Sequence, residues 1–178
     1  MNQIKILDRE FEIFIKEDEI SKRIDVLTEQ INSDYLGKSI LFIAILNGSF
    51  MFASDLFKRI SNVNCRIEFI KASSYVGTQS IGNINQLIGL KTNIENEYVI
   101  IIEDIIDTGL TIDFIINSLK EKHPANINVC SLLLKPKALQ VKINPKYIGF
   151  EVENKFLVGY GLDYDGYGRN LRHIYAEI

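Results

Sequence analysis

An α/β fold is predicted: a parallel sheet core flanked by helices, with a small β-rich hood. Three observations predict it. Short apolar runs such as Val99-Ile100-Ile101-Ile102 are β-branched throughout and bounded by polar residues, as strands buried on both faces are. Such runs lead through short polar turns into segments with helical spacing, which repeats a strand-turn-helix unit. The last third, by contrast, is rich in glycine, aromatic and β-branched residues and carries no helical pattern. A chain of 178 residues fits one domain, 1–178, able to bury roughly 70% of its unfolded surface.

In chain order, Ile4 to Ile15 alternates charge and hydrophobe loosely and suits a short strand or edge segment. From Glu17 onward Ile20, Ile24, Leu27 and Ile31 fall on one stripe, opposite Ser21, Lys22, Arg23, Asp25 and Glu29, so an amphipathic helix packs here. Ile40 to Ile45 is a buried strand, Leu46-Asn47-Gly48-Ser49 a turn, and Phe50 to Ile60 an apolar helix. On its own Asn-Gly-Ser suits an ordinary strand-to-helix turn, although Gly48 would let a phosphate approach closely. Arg66 to Ile70 is a further strand, and about 73–88 has the composition of a long mobile loop.

The chemistry concentrates in the stretch that follows. The strand Val99–Ile102 runs into Glu103 and Asp104, and in open α/β sheets the carboxyl ends of strands are where ligands bind. Two adjacent carboxylates there suit a metal ion or the vicinal hydroxyls of a sugar. Asp107-Thr108-Gly109-Leu110-Thr111 then forms a polar turn ahead of Ile112, Ile115, Ile116 and Leu119, which have helical spacing. The N–H groups of that turn, the helix N-terminus and the two threonine hydroxyls together would cradle a phosphate.

Lys120, Lys122 and His123 close that helix and Pro124 stops it. Ile127 to Leu134 is the next strand, and Lys135 stands at its carboxyl end, pointing into the same crevice as Glu103 and Asp107. Tyr147–Val152, Phe156–Tyr164 and Arg172–Ile178 are expected strands that build the hood, largely from about 147–178. Glycines 159, 161, 166 and 168 lack the spacing and the strand-to-helix context of a dinucleotide fingerprint.

Composition narrows the partners. With 20 basic and 23 acidic residues the net charge is −3, and the pI is about 5.5, so no general footprint for nucleic acid is present. Cys65 and Cys130 lie far apart in apolar segments and read as two reduced core thiols, which fits a reducing, cytoplasmic compartment. No apolar run approaches the ~18 residues a membrane span needs.

Glu103-Asp104-Ile105-Ile106-Asp107-Thr108-Gly109-x-Thr111 resembles the signature of the purine phosphoribosyltransferases, and its wording is closest to the hypoxanthine-guanine branch. The resemblance covers almost all of the chain from the first helix onward. It implies a phosphoribosyltransferase-like fold and the transfer of a phosphoribosyl group from 5-phosphoribosyl 1-diphosphate (PRPP) to hypoxanthine and guanine, giving IMP or GMP in purine salvage. It assigns the 5-phosphate and ribose to Glu103, Asp104, Asp107, Thr108, Gly109, Leu110 and Thr111, with Asp107 as catalytic base. Diphosphate falls to Asn47, Gly48 and Arg169, with a cis peptide at Leu46-Asn47, and the purine falls to Lys135, Phe156, Leu157 and Asp163. Magnesium, Mg2+, would be held by Glu103, Asp104 and Asp163, and Ser74 and Tyr75 would belong to a flexible lid at about 73–88 that closes over the donor. The chain departs from the pattern at Asn85, where the family often carries a lysine. A homodimer or homotetramer is implied, with PRPP and a 6-oxopurine as substrates and neither nucleic acid nor membrane as partner.

Two other classes share parts of this pattern. A PRPP-sensing regulator would keep the donor motif without catalysis, but the acidity of the chain and the Lys135 and Phe156 pair speak against it. A phosphoacceptor signalling domain would share the acidic pair, a threonine and a lysine at strand ends, but has no place for the segment after Lys135 or the second glycine turn.

Overall fold

The structure is a computed structural model that describes residues 2–74 and 84–178. Its first elements are strands β1 (Gln3–Ile6) and β2 (Arg9–Ile15), helix α1 (Glu17–Asp34), strand β3 (Ile40–Ile45), helix α2 (Phe50–Phe57) and strands β4 (Cys65–Ser74) and β5 (Ile84–Ile88). Strand β6 (Tyr98–Ile106), helix α3 (Leu110–Lys120), strand β7 (Asn126–Leu134), a short 3-10 turn (Pro136–Ala138) and strands β8 (Tyr147–Glu151), β9 (Leu157–Val158) and β10 (Ile174–Glu177) follow.

The main sheet has the order β5-β4-β3-β6-β7-β8, with the last five strands parallel and β5 antiparallel to β4. Alternation along β3 explains its layers. Ile40, Phe42 and Ala44 pack under α1 and α2, while Leu41, Ile43 and Ile45 face the α3 side. Helix α1 contributes Ile20, Ile24, Leu27 and Ile31 to the first layer, and Ile112, Ile115 and Leu119 of α3 fill the second. Each such side chain, removed from water, stabilises the fold by about 1.5–3 kcal/mol before conformational entropy is counted.

A second, antiparallel sheet of order β1-β2-β10-β9 makes the hood. Its composition corrects two expectations. The N-terminal segment is a two-stranded hairpin rather than one edge strand, and it supplies half of the hood. Tyr147–Glu151, expected in the hood, is instead the outer parallel strand β8. Gly149 brings its backbone against the Leu132 carbonyl, where any side chain would collide, and the Arg23 guanidinium donates to the carbonyls of Ile148 and Gly149 at 2.7 and 2.6 Å. Together these contacts fix β8 on the core. One face of the hood closes on Phe11, Val158 and Tyr175, and the other adds Leu157, Tyr160, Leu162, Ile174 and Ala176 to the layer beneath α1 and α2.

Other boundaries shift in instructive ways. Helix α2 ends at Phe57, short of Ile60. Strand β4 runs on to Ser74 and pairs with β5 from Lys71 through Ser74, so both ends of the expected lid are strand rather than loop. The middle of that segment, including Tyr75, lies outside the described residues. Cys130 is buried and Cys65 half-buried, and both are free thiols. Among the described residues no helix is long and apolar enough to cross a membrane.

Candidate active site

Strand β6 does not end at Ile102. Its ladder to β7 continues through Glu103↔Ser131, Ile105↔Leu133 and Ile106↔Leu134, so both adjacent carboxylates are carried by the strand itself. Asp104 has no partner in that register, and its carboxylate turns back to accept from the Ile105 N–H at 2.9 Å. Glu103 is 6% exposed. Burial, reinforced by the neighbouring Asp104 carboxylate, pushes its pKa well above the ordinary glutamate value.

Past Ile106 the chain turns through Asp107 and Thr108 to Gly109, which lies in the left-handed region at φ 82° and leads into α3. The first N–H groups of α3 have no partner within the helix, where the positive end of the helix dipole also lies, and that of Leu110 donates to the Thr108 hydroxyl at 3.4 Å. A cavity of about 320 Å³ opens here, lined by Leu46, Glu103, Asp107, Thr108, Gly109 and Thr111 among others. Its lining brings the Glu103 and Asp107 carboxylates together with the residues of the Thr108–Thr111 turn. Leu110, the first residue of α3, is exposed beside the cavity rather than lining it.

Lys135 follows the last residue of β7. Its side chain is 8% exposed, and its ammonium forms an ion pair with the half-exposed Asp107 carboxylate at 2.8 Å. Its backbone N–H donates to the Ile106 carbonyl at 2.9 Å, which fixes where the stem begins.

The second strand-turn-helix unit lies alongside. The Leu46–Asn47 peptide is cis, as the resemblance implied. Asn47 is exposed, and Gly48 is occupied so closely by the Asp104 carboxylate that a Cβ there would overlap it. From the hood, Gly161 packs its backbone against the Gly48 carbonyl with no room for a side chain. Arg169 is pinned above, donating to the Gly161 carbonyl at 2.7 Å and pairing with Asp163 at 2.7 Å. Asp163 also accepts from the Gly166 N–H at 2.7 Å. Its carboxylate is therefore committed to the hood turn. Glu103, Asp104 and Asp163 accordingly do not converge on one metal position, and among the described residues no three carboxylate, thiol or imidazole groups do. The expected magnesium ligands thus lie in two places, Glu103 and Asp104 on β6 and Asp163 in the hood. A donor set of one or two carboxylates still suits Mg2+, which keeps several waters and takes its other ligands from substrate phosphates.

Phe156 sits at the hood edge, 40% exposed. Tyr164 meets it edge-on at 5.8 Å, Phe11 lies at 6.3 Å, and the Arg9 guanidinium is 5.2 Å from its ring centre. Leu157 is buried. The Phe156 carbonyl accepts from the Glu177 N–H at 3.0 Å, so by strand alternation the N–H and C=O of Leu157 point to the open edge of the hood. None of the hood residues, nor Lys135, lines the 320 Å³ cavity. Ser74 ends β4, and its side chain falls outside the described residues, as does Tyr75 entirely. The backing of Phe156 by Arg9 and Phe11 escaped the sequence reading, because nothing in the alternation of residues 4–15 marks two of them as neighbours of a segment near position 156.

The phosphoribosyl transferase domain family matches residues 15–165 of the chain, and the protein belongs to that family. Within it the chain is similar over nearly its whole length to hypoxanthine-guanine-xanthine phosphoribosyltransferase of Tritrichomonas foetus, 38% identical over 96% of this chain and 93% of the relative. It is similar also to hypoxanthine-guanine phosphoribosyltransferase of Dictyostelium discoideum, 39% identical over 92% of this chain and 93% of that one. Among solved structures, a hypoxanthine-guanine phosphoribosyltransferase from Bacillus anthracis superposes with a TM-score of 0.85 at 37% identity, covering 94% of this chain and 99% of the other.

Proposed function

We propose that the protein transfers the 5-phosphoribosyl group of PRPP to hypoxanthine and guanine, releasing diphosphate and forming IMP or GMP, and so serves purine salvage. The observation that carries the reading is the Asp107–Lys135 pair set beside the Thr108–Thr111 cradle. A base, a cation and a phosphate site thereby meet at one point.

In this reading the cradle amides and the Thr108 and Thr111 hydroxyls hold the 5-phosphate, and Glu103 and Asp104 accept from the ribose hydroxyls. Asn47, Gly48 and Arg169 receive the diphosphate, for which a planar guanidinium is well shaped. Magnesium arriving with the donor would be held by one carboxylate of Glu103 or Asp104, and by Asp163 once the diphosphate has drawn Arg169 from it, and would supply charge neutralisation at the departing diphosphate.

Phe156 offers its exposed ring to the purine, and the Leu157 backbone meets the edge of the base. Lys135 exchanges the Asp107 carboxylate for the 6-oxo group of the purine. An adenine would set an amino donor against an ammonium donor and leave both unpaired. Freed of Lys135, Asp107 takes the proton from one imidazole nitrogen while the other bonds to the anomeric carbon. The bond from that carbon to the diphosphate oxygen breaks, and its electron pair leaves with the diphosphate. The lid around 73–88 would exclude water from the sugar cation.

Nucleotide formation from PRPP, magnesium and a panel of hypoxanthine, guanine, xanthine, adenine and uracil tests the reading. IMP and GMP are the expected products. Product from adenine or uracil, with none from the 6-oxopurines, would overturn it. The proposed dimer or tetramer is read separately by sedimentation equilibrium.

A further inference from the structure

The hood and the Gly48 turn belong to different sheets, yet the proposed diphosphate site needs Arg169 of one over Gly48 of the other. A specific link joins them. Tyr160, 4% exposed, donates its hydroxyl to the Asp55 carboxylate at 2.5 Å. Asp55 belongs to α2, which grows directly out of the Gly48 turn, and Tyr160 directly precedes Gly161, whose backbone touches the Gly48 carbonyl. The two residues therefore close a short ring running from Asp55 up α2 to Gly48, across to Gly161, and back through Tyr160.

The backbone around Tyr160 explains why a link is needed. Gly159, Tyr160 and Gly161 lie consecutively in the left-handed region, at φ 96°, 50° and 101°. Glycine adopts that region freely, whereas a bulky aromatic residue there is strained and must be held by its surroundings. The Asp55 carboxylate supplies one such hold. Arg169 in turn depends on the turn, because its guanidinium donates to the Gly161 carbonyl and its own carbonyl accepts from the Gly161 N–H at 2.9 Å. Asp55 is itself steadied on the other side by Lys58 at 2.6 Å. Burial raises its carboxyl pKa, but the bonds from Lys58 and Tyr160 outweigh that and leave it below the ordinary value.

We infer that Asp55 and Tyr160 are positioning residues, which seat the Gly161 turn on Gly48 and so hold Arg169 where diphosphate is bound. Neither touches the reacting atoms. The inference rests on the assignment of diphosphate to Gly48 and Arg169.

Its test uses the full chain, with diphosphate and magnesium binding by calorimetry beside steady-state kinetics. Tyr160→Phe and Asp55→Ala should each weaken diphosphate binding and raise the KM for PRPP by about tenfold or more, the scale of one lost hydrogen bond to a charged group. The KM for purine should stay within about twofold, as expected when only ground-state donor contacts are changed. Asp55→Asn keeps an acceptor for the hydroxyl and should restore most of the loss, and the Asp55→Ala, Tyr160→Phe double variant should be no worse than either single one. Unchanged diphosphate binding in Tyr160→Phe, or equal rises in both KM values, would overturn the inference. A parent protein that binds diphosphate but forms no nucleotide would defeat the transferase reading alone, and one that binds no diphosphate would defeat both.

Discussion

The Lys135–Asp107 contact decides how the free site is poised. A nearly buried ammonium needs a partner, and at 2.8 Å Asp107 provides it until a substrate carbonyl can. Asp107→Asn should therefore lower kcat by roughly 100-fold or more while PRPP binding stays near that of the parent, because the lost function is proton transfer. Parallel measurement of kcat and of PRPP affinity checks this. Near-parental turnover would remove Asp107 from the role of base. Lys135→Gln should raise the KM for hypoxanthine by about tenfold or more and narrow the discrimination against adenine, since an amide can either donate or accept. The ratio of kcat/KM for the two bases is the readout. The places of both residues at strand ends were legible in the sequence, and the family resemblance supplied the roles expected of them. Their direct pairing was not, since 28 positions separate them in the chain.

At the scale of elements, α1 shows how helix and sheet are fastened at both ends. Arg23 caps the carbonyls of β8 near its start, and Asp34 near its end accepts from the Tyr147 hydroxyl at 2.7 Å and the Lys146 ammonium at 2.7 Å. The Lys146 and Tyr147 bonds hold the Asp34 pKa below the ordinary aspartate value of 3.8. A depressed folded pKa means that the unfolded chain binds the proton more readily. The contribution is thus present above pH 3.8 and fades as pH falls through the lower folded value. Asp34→Asn should lower Tm by about 2 °C at neutral pH, a small figure because the carboxylate is more than a third exposed to screening solvent. Thermal melts of parent and variant should converge below pH 3.8. A gap that widens on acidification would reverse the assignment. The helix itself was readable from its apolar stripe, but its partner strand was misplaced, because β8 reads locally like any hood strand.

At the scale of the whole molecule, the hood and the three-layer core share one apolar cluster, so we propose that they unfold together. A single calorimetric transition is expected, and two separated transitions would count against a single domain. Gly161 is where the two parts touch. It combines φ 101° with a backbone contact to the Gly48 carbonyl, so Gly161→Ala both strains the turn and pushes the sheets apart. That change should destabilise the protein by roughly 2 kcal/mol or more. It should also lower PRPP affinity in whatever fraction stays folded. Gly166, in the next hood turn, has open space about it, and alanine there meets only the backbone cost of φ 83°. Comparing the two variants by chemical denaturation separates backbone strain from collision.

The sequence by itself determined what depends on neighbours along the chain: the apolar runs that became β3, β6 and β7, the stripe of α1, the glycine turn into α3, and the acidic and basic residues at strand ends. Periodic burial and backbone preference act over a few residues and can be read there. Only the tertiary structure decided that Glu103 is enclosed within a strand, that Asp163 pairs with Arg169, that Arg9 and Phe11 back Phe156, and that Tyr160 reaches Asp55 across 105 positions. Such pairings are set by sheet register and by the way the hood settles on the helices, and these depend on the packing of the whole core rather than on any local run of residues.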